Sequence, residues 1–356
     1  MSARHRRRPV AAVALTAALT AGAALLLSAC GPDDTGTAGS PAGSAAPPGS
    51  AAPAGSSRPA PPTTSAAPRT PAGTRSSAPA TPASGPNGTA HSKLTVSDGT
   101  PLVLMNGTTV DFHTQVRDLA WNPDGSRAAF IDGDGDLVVT DPDGSHRRVV
   151  AKNPGGQTWS HPTWQVSPAD GNGEPAKNNL FFAVDQGGTT RLDTVPATAT
   201  DAQPAALSLN PVFEDHPTSL PQTGNTWPNA AGSHGFSVYA NTGDGQVYLR
   251  DDYLRQQGSA YTHGSEPAVN GAGTELVFVR SVGGHDHLFT AQLDQQNPSG
   301  TDLTPNATTD YTEPAWSPDG STIAARTPQG VVTLPADGSA APELTVTTPG
   351  LPAYRD

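Results

Sequence analysis

The chain has 356 residues, 35% of them apolar and 15% charged, with 32 acidic against 20 basic side chains and a net charge of −12. That balance disfavours nucleic acid and anionic lipid headgroups as partners and favours cations or basic partners. A single cysteine, Cys30, excludes any intramolecular disulfide, so a folded part must rest on its packing.

Residues 1–29 read as an export signal. Arg4, Arg6, Arg7 and Arg8 make a positive start, and Val10 to Leu27 is an apolar run dominated by Ala and Leu. The run ends Leu27-Ser28-Ala29-Cys30-Gly31, which resembles the lipobox of bacterial lipoproteins, whose cysteine receives a diacylglyceryl thioether and becomes the mature N-terminus. The resemblance implies that Cys30 is lipidated and holds the chain on the outer face of the cytoplasmic membrane. An uncleaved transmembrane anchor is the rival reading, since about 18 apolar residues lie at the lower limit for spanning. Both readings place the remainder outside the membrane.

Residues 30–91 carry the cysteine and then a linker. From Gly31 to about Ala90 the chain is almost wholly Ala, Pro, Gly, Ser and Thr, without an aromatic residue. Such a segment buries too little apolar surface to offset its ordering entropy and is expected to be disordered. As a flexible coil of about 60 residues it would span roughly 40 Å. Ser and Thr beside Pro resemble O-glycosylated stalks. The bias toward Ala, Gly, Pro, Thr and Arg, with only Lys93, Lys152 and Lys177 as lysines, suggests a high-GC actinobacterial source.

Residues 92–356 change character. Three short strands come first, at Lys93–Val96, Leu102–Met105 and Thr109–Phe112, joined at Asp98-Gly99 and Asn106-Gly107. A phrase then appears twice: Trp121-Asn122-Pro123-Asp124-Gly125 and Trp316-Ser317-Pro318-Asp319-Gly320. Each copy is a strand, a type I turn and a second apolar strand. Degenerate copies lie between them at His161-Pro162-Thr163-Trp164, Asn225-Thr226-Trp227-Pro228-Asn229 and Glu266-Pro267-Ala268-Val269. With a third strand after each, the units recur at the period of propeller blades. The longest interval, after Trp164, predicts an insertion of roughly half a blade at Ala197 to Gln222.

These repeats resemble the TolB-like six-bladed propellers, whose unit reads approximately Pro-x-Trp-Ser-Pro-Asp-Gly-x-x-Ile-Ala-Phe. The first three strands lack a Pro-Ala-Trp strand before them, and Leu351-Pro352-Ala353-Tyr354 supplies it at the other end. The predicted fold is therefore all-β: a six-bladed β-propeller over residues 92–356, closed by pairing of its N- and C-terminal strands. Counted from about residue 91 it holds 30 acidic and 13 basic residues, a balance of −17.

The residue before each Pro-Ala-Trp should begin the strand that lines the central channel. That rule selects Asp118, His161, Gly224, Glu266, Glu313 and Leu351. Asp118, His161, Glu266 and Glu313 are thus the candidate channel site, whose carboxylates and imidazole suit a divalent cation or a basic group. Asp132-Gly133-Asp134-Gly135-Asp136 reads as a hairpin turn, because Leu137 stands where a calcium loop requires glycine. His285-Asp286-His287 reads as a polar turn without a third ligand. No Gly-x-Ser-x-Gly elbow and no phosphate loop occurs.

The expectation is an extracytoplasmic lipoprotein, monomeric, with no catalytic residue and no obligatory cofactor. Its propeller would bind an envelope protein, a cell-wall component or a ligand. The alternative is a metal-dependent hydrolase or lyase acting on a sugar or lactone in the channel. TolB has an additional N-terminal α/β domain and acts in an envelope with an outer membrane, so its role in the Tol-Pal system is not carried over.

Overall fold

The computed structural model describes residues 86–210, 219–232, 234–253 and 256–356. The export signal, Cys30 and the linker to residue 85 lie outside the described residues, as do residues 211–218 of the expected insertion.

Among the described residues, twenty-four strands form six four-stranded antiparallel sheets. Blade 1 runs Leu351–Tyr354, Leu94–Ser97, Leu102–Met105, Thr108–Asp111 from the channel outward, so the last strand of the chain is its innermost. Closure follows the sequence expectation. Leu94 pairs with Tyr354 and Ser97 with Leu351, and Lys93 meets Asp356 at 2.7 Å. The inner strands of blades 2 to 6 are Arg117–Trp121, Thr158–Ser167, Asn225–Ala231, Ser265–Val269 and Thr312–Trp316, each packed beside the next around the ring.

Because each sheet is covered on both faces, its second strand is largely buried and its alternate residues serve different neighbours. In blade 3, Leu180 and Phe182 pack toward blade 2, while Phe181 and Ala183 pack toward blade 4. The same alternation fills all six blade interfaces.

The repeated tryptophan clamps neighbouring blades. Trp164 donates its indole N–H to the Ala120 carbonyl at 3.2 Å, and Trp316 donates to the Ala268 carbonyl at 3.0 Å. Trp121 reaches the Ala353 carbonyl through the Thr95 hydroxyl. Where the indole is missing, the polarity reverses. The N–H of Ala230 donates to Thr163 Oγ1 at 3.0 Å and that of Val269 to Asn229 Oδ1 at 2.9 Å.

This clamp corrects the expected register of blade 4. Trp227 was expected to stand in the position of Trp121, with Gly224 at the channel; instead Ala230 holds the clamp position and Trp227 the channel position. The Pro228 that follows Trp227 is the true marker, matching Pro162, Pro267, Pro314 and Pro352. The long interval is also no half-blade among the described residues. It carries the outer strand of blade 3, Ala205–Ala206, and wedges Leu207, Leu209 and Leu220 between blades 3 and 4.

The Pro-Asp-Gly turns are as read. Gly125 donates to the Asn122 carbonyl and Gly320 to that of Ser317, both at 2.9 Å, with the glycines left-handed at φ of 66° and 71°. Any side chain at position 125 would also strike the Asp356 backbone, 2.5 Å from its Cβ. In the 132–136 hairpin, Asp132 Oδ1 accepts the N–H of Asp134 and Asp136 while Oδ2 takes Arg147, so the loop spends its carboxylate on itself.

Two outcomes test this account. Removing residues 351–356 takes the inner strand from blade 1 and should abolish or greatly lower the thermal unfolding transition; an unchanged melt would contradict strand closure. Thr163→Val leaves the Ala230 N–H without its acceptor and should cost about 1–2 kcal/mol in denaturant unfolding.

Candidate functional site

The channel is built by a defect repeated five times. In blades 2 to 6 the inner strand places two residues against one of its partner, a bulge that begins at Asp118, His161, Trp227, Glu266 and Glu313. Each of these five is left-handed, with φ between 47° and 57°. A non-glycine residue in that region costs about 1–2 kcal/mol, and such residues gather at functional sites. The extra residue leaves an N–H outside the ladder. Proline follows in four of the five bulges and removes one such donor.

The bulge residues come together at one end of a channel cavity of about 480 Å³ lined by all six inner strands. Two carboxylates bind the neighbouring blade's backbone. Asp118 Oδ2 accepts the His161 N–H at 3.1 Å, and Glu266 Oε2 accepts the Glu313 N–H in a short bond. His161 belongs to blade 3 and Glu313 to blade 6, which lie opposite each other in the ring. Their side chains nevertheless meet, Nε2 to Oε1 at 3.5 Å, so the pair bridges the bore. Trp227 stands edge-on to the imidazole, with ring centroids 5.8 Å apart. The four candidate residues Asp118, His161, Glu266 and Glu313 are therefore in one connected cluster, and Trp227 completes it.

Burial penalises every charge here, and the shifts show which partners answer it. Burial would lower the His161 pKa, yet the Glu313 contact and the fields of Asp118 and Glu266 hold it above the usual 6.5. Burial would raise Glu313, yet His161 and Arg326 hold it below the usual carboxylate range. Burial pushes Glu266 up to about 7, with the Glu313 charge adding to it and the Glu313 N–H and His161 opposing.

Arg326, whose Nη1 donates to Glu313 Oε2 at 3.1 Å, escaped the sequence reading. It extends the apolar strand Ile323-Ala324-Ala325 and reaches the channel only because it pairs with Thr312, next to Glu313. Nothing linear marks it. Leu351 heads the inner strand of blade 1 without a bulge. Among the described residues no group of three or more His, Cys, Asp and Glu is arranged to hold a metal ion. His285 and His287 go to separate carboxylates, Asp310 at 3.2 Å and Asp302 at 3.0 Å.

No protein-family profile and no curated protein sequence matches the chain. Among solved structures it is similar to TolB from Acinetobacter baumannii, at 15% identity and a TM-score of 0.50, over 74% of this chain and 65% of that one. The chain thus spans just under two thirds of the length of that protein. It also matches a chain of the mitotic checkpoint complex (13% identity, TM-score 0.41, 71% of this chain and 67% of that one) and the tricorn protease (14%, 0.40, 72% and 26%). The likeness to TolB is one of fold, as the repeats had suggested.

The titrations carry opposite signs. Glu266 and His161 both hold protons more tightly in the folded state, so the contribution of Glu266 is fully present below 4.5 and is lost as pH rises from there to about 7, and that of His161 is fully present below 6.5 and is lost as pH rises above it. Glu313 contributes above its ordinary value near 4.5 and loses that as pH falls below it. Stability should therefore peak near pH 4.5, where Glu313 is still largely ionised and Glu266 has not yet begun to lose its contribution. Glu266→Gln, which keeps an acceptor for the Glu313 N–H, should stabilise by on the order of 2–3 kcal/mol at pH 8 and much less at pH 5. Urea unfolding at the two pH values checks it; equal effects would contradict the assigned burial of Glu266.

Proposed function

We propose that this chain is an exported lipoprotein, anchored through Cys30 at the outer face of the cytoplasmic membrane, whose propeller docks a protein partner of the cell envelope at its channel mouth. Residues 1–29 would be removed and the linker of residues 30–91 would hold the domain off the membrane. The arginines, apolar run and Leu-Ser-Ala-Cys order support the anchor.

The observation that carries the docking reading is the mouth itself. Five blades each keep a strained, non-glycine residue there, and all five side chains join one cluster above a cavity of about 480 Å³. A purely structural ring would place glycine at such positions without that cost. The resemblance to TolB in both repeat and fold supports a docking scaffold.

Both parts can be tested in cells. Cys30→Ala should lose incorporation of labelled fatty acid and leave the membrane fraction; a variant that still labels would contradict the anchor. A photo-crosslinking residue at Gln329, on the mouth face, should yield a discrete protein adduct, and one at Asp319, in the turn at the opposite end, should not. Adducts from Asp319 alone would move the docking face to the other end of the propeller.

A further inference from the structure

We propose that Asp118, Glu266 and Glu313 form a cage for an organic cation, that the His161 ring is its resident occupant, and that a lysine or arginine side chain of the docking partner displaces it. This rests on the docking function proposed above and names the chemistry that the mouth recognises.

His161 reaches across the bore from blade 3 to the carboxylate of Glu313 on blade 6. Asp118 lies at the backbone N–H of His161, and Glu266 at that of Glu313. Glu313 thus touches the ring itself, and the carboxylates of Asp118 and Glu266, from two further blades, lie close enough to act on it electrostatically.

The ring is also loosely held. Both ring nitrogens are enclosed, and neither has a hydrogen-bond partner; the 3.5 Å approach to Glu313 is a contact of charge without a directed bond. A buried donor left unpaired costs about 1–3 kcal/mol. An ammonium offers three donors and a guanidinium five, so either satisfies carboxylates better than the imidazole does.

The walls suit the same class. Trp227 adds an aromatic ring to the wall beside the imidazole, with centroids 5.8 Å apart. Pro162, Pro267 and Pro314 line the same cavity beside the cluster and give it apolar wall for the aliphatic stem of a lysine or arginine. Its volume lies in the range of small-ligand sites. The acidic field of the domain draws cations toward it. A metal ion is the poorer fit, since among the described residues no group of three or more His, Cys, Asp and Glu is arranged to hold one.

Five groups decide the pH dependence: Asp118, His161, Glu266 and Glu313 on the inner strands, and Arg326 beside them. Asp286 acts on Glu266 from blade 5. As pH rises through about 7 Glu266 ionises, and as it rises above the raised range of His161 the imidazole gives up its proton and competes less; cation binding strengthens.

The test is calorimetric titration of the full chain with the acetylated, amidated peptides Ala-Lys-Ala and Ala-Arg-Ala, and with an Ala-norleucine-Ala control, at pH 6 and pH 8. The cationic peptides should bind about tenfold more tightly at pH 8, following the ionised fraction of a group titrating near 7. The control should not bind. His161→Asn, a residue that tolerates the left-handed backbone, should bind both cationic peptides more tightly at pH 6 and narrow the gap, and Glu313→Gln should lose them. Equal binding of the control, or weaker binding by His161→Asn, would overturn the proposal. So would failure to bind either cationic peptide by a protein that still forms its adduct at Gln329, an outcome that leaves docking itself intact.

Discussion

The structure turns on one backbone device, a left-handed residue inside a one-residue bulge at the head of five inner strands. The bulge frees a backbone N–H and re-aims a side chain, and each channel residue inherits both consequences. Asp118 and Glu266 are positioned well enough to accept the freed N–H groups of His161 and Glu313, so the ring of blades is tied at its narrowest circumference. The cost of five left-handed residues is offset there by bonds between blades, and further out by the indole clamps of Trp121, Trp164 and Trp316.

The same device sets the chemistry. Six blades place the third and sixth opposite each other, so two bulge residues that sequence separates by a large interval face across one bore. His161 and Glu313 meet because the channel is narrow there, and their meeting holds the imidazole pKa up and the carboxylate pKa down. Glu266, with its charge less well answered, is left near neutrality. The mouth is thus close to electrically balanced, and a partner's cation competes with an internal one for the same oxygens.

Much of this was legible in the sequence. The Pro-Asp-Gly turns need only local residues, and the missing strand of blade 1 was visible as Leu351-Pro352-Ala353-Tyr354. Asp118, His161, Glu266 and Glu313 followed from their place before the inner strand. Blade 4 departs from the expectation because tryptophan holds the clamp only in blades 2, 3 and 6, whereas proline follows the bulge residue in blades 3 to 6: a residue without an N–H suits the bulge whatever occupies the clamp three residues after the bulge residue. Trp227 was thereby assigned to the clamp, although it belongs to the channel. Arg326 and the cross-channel pair were invisible for a different reason, since both depend on sheet register and ring closure, which no linear pattern encodes.

The most direct measurement is the titration of the His161 ring by NMR in isotope-labelled protein, wild type and Glu313→Gln. If His161 bridges the bore to Glu313, its resonance titrates above 6.5 in the wild type and falls clearly when Glu313 loses its charge. A ring that titrates at or below 6.5 in both proteins would contradict the bridge and remove the basis for a resident cation at the channel mouth.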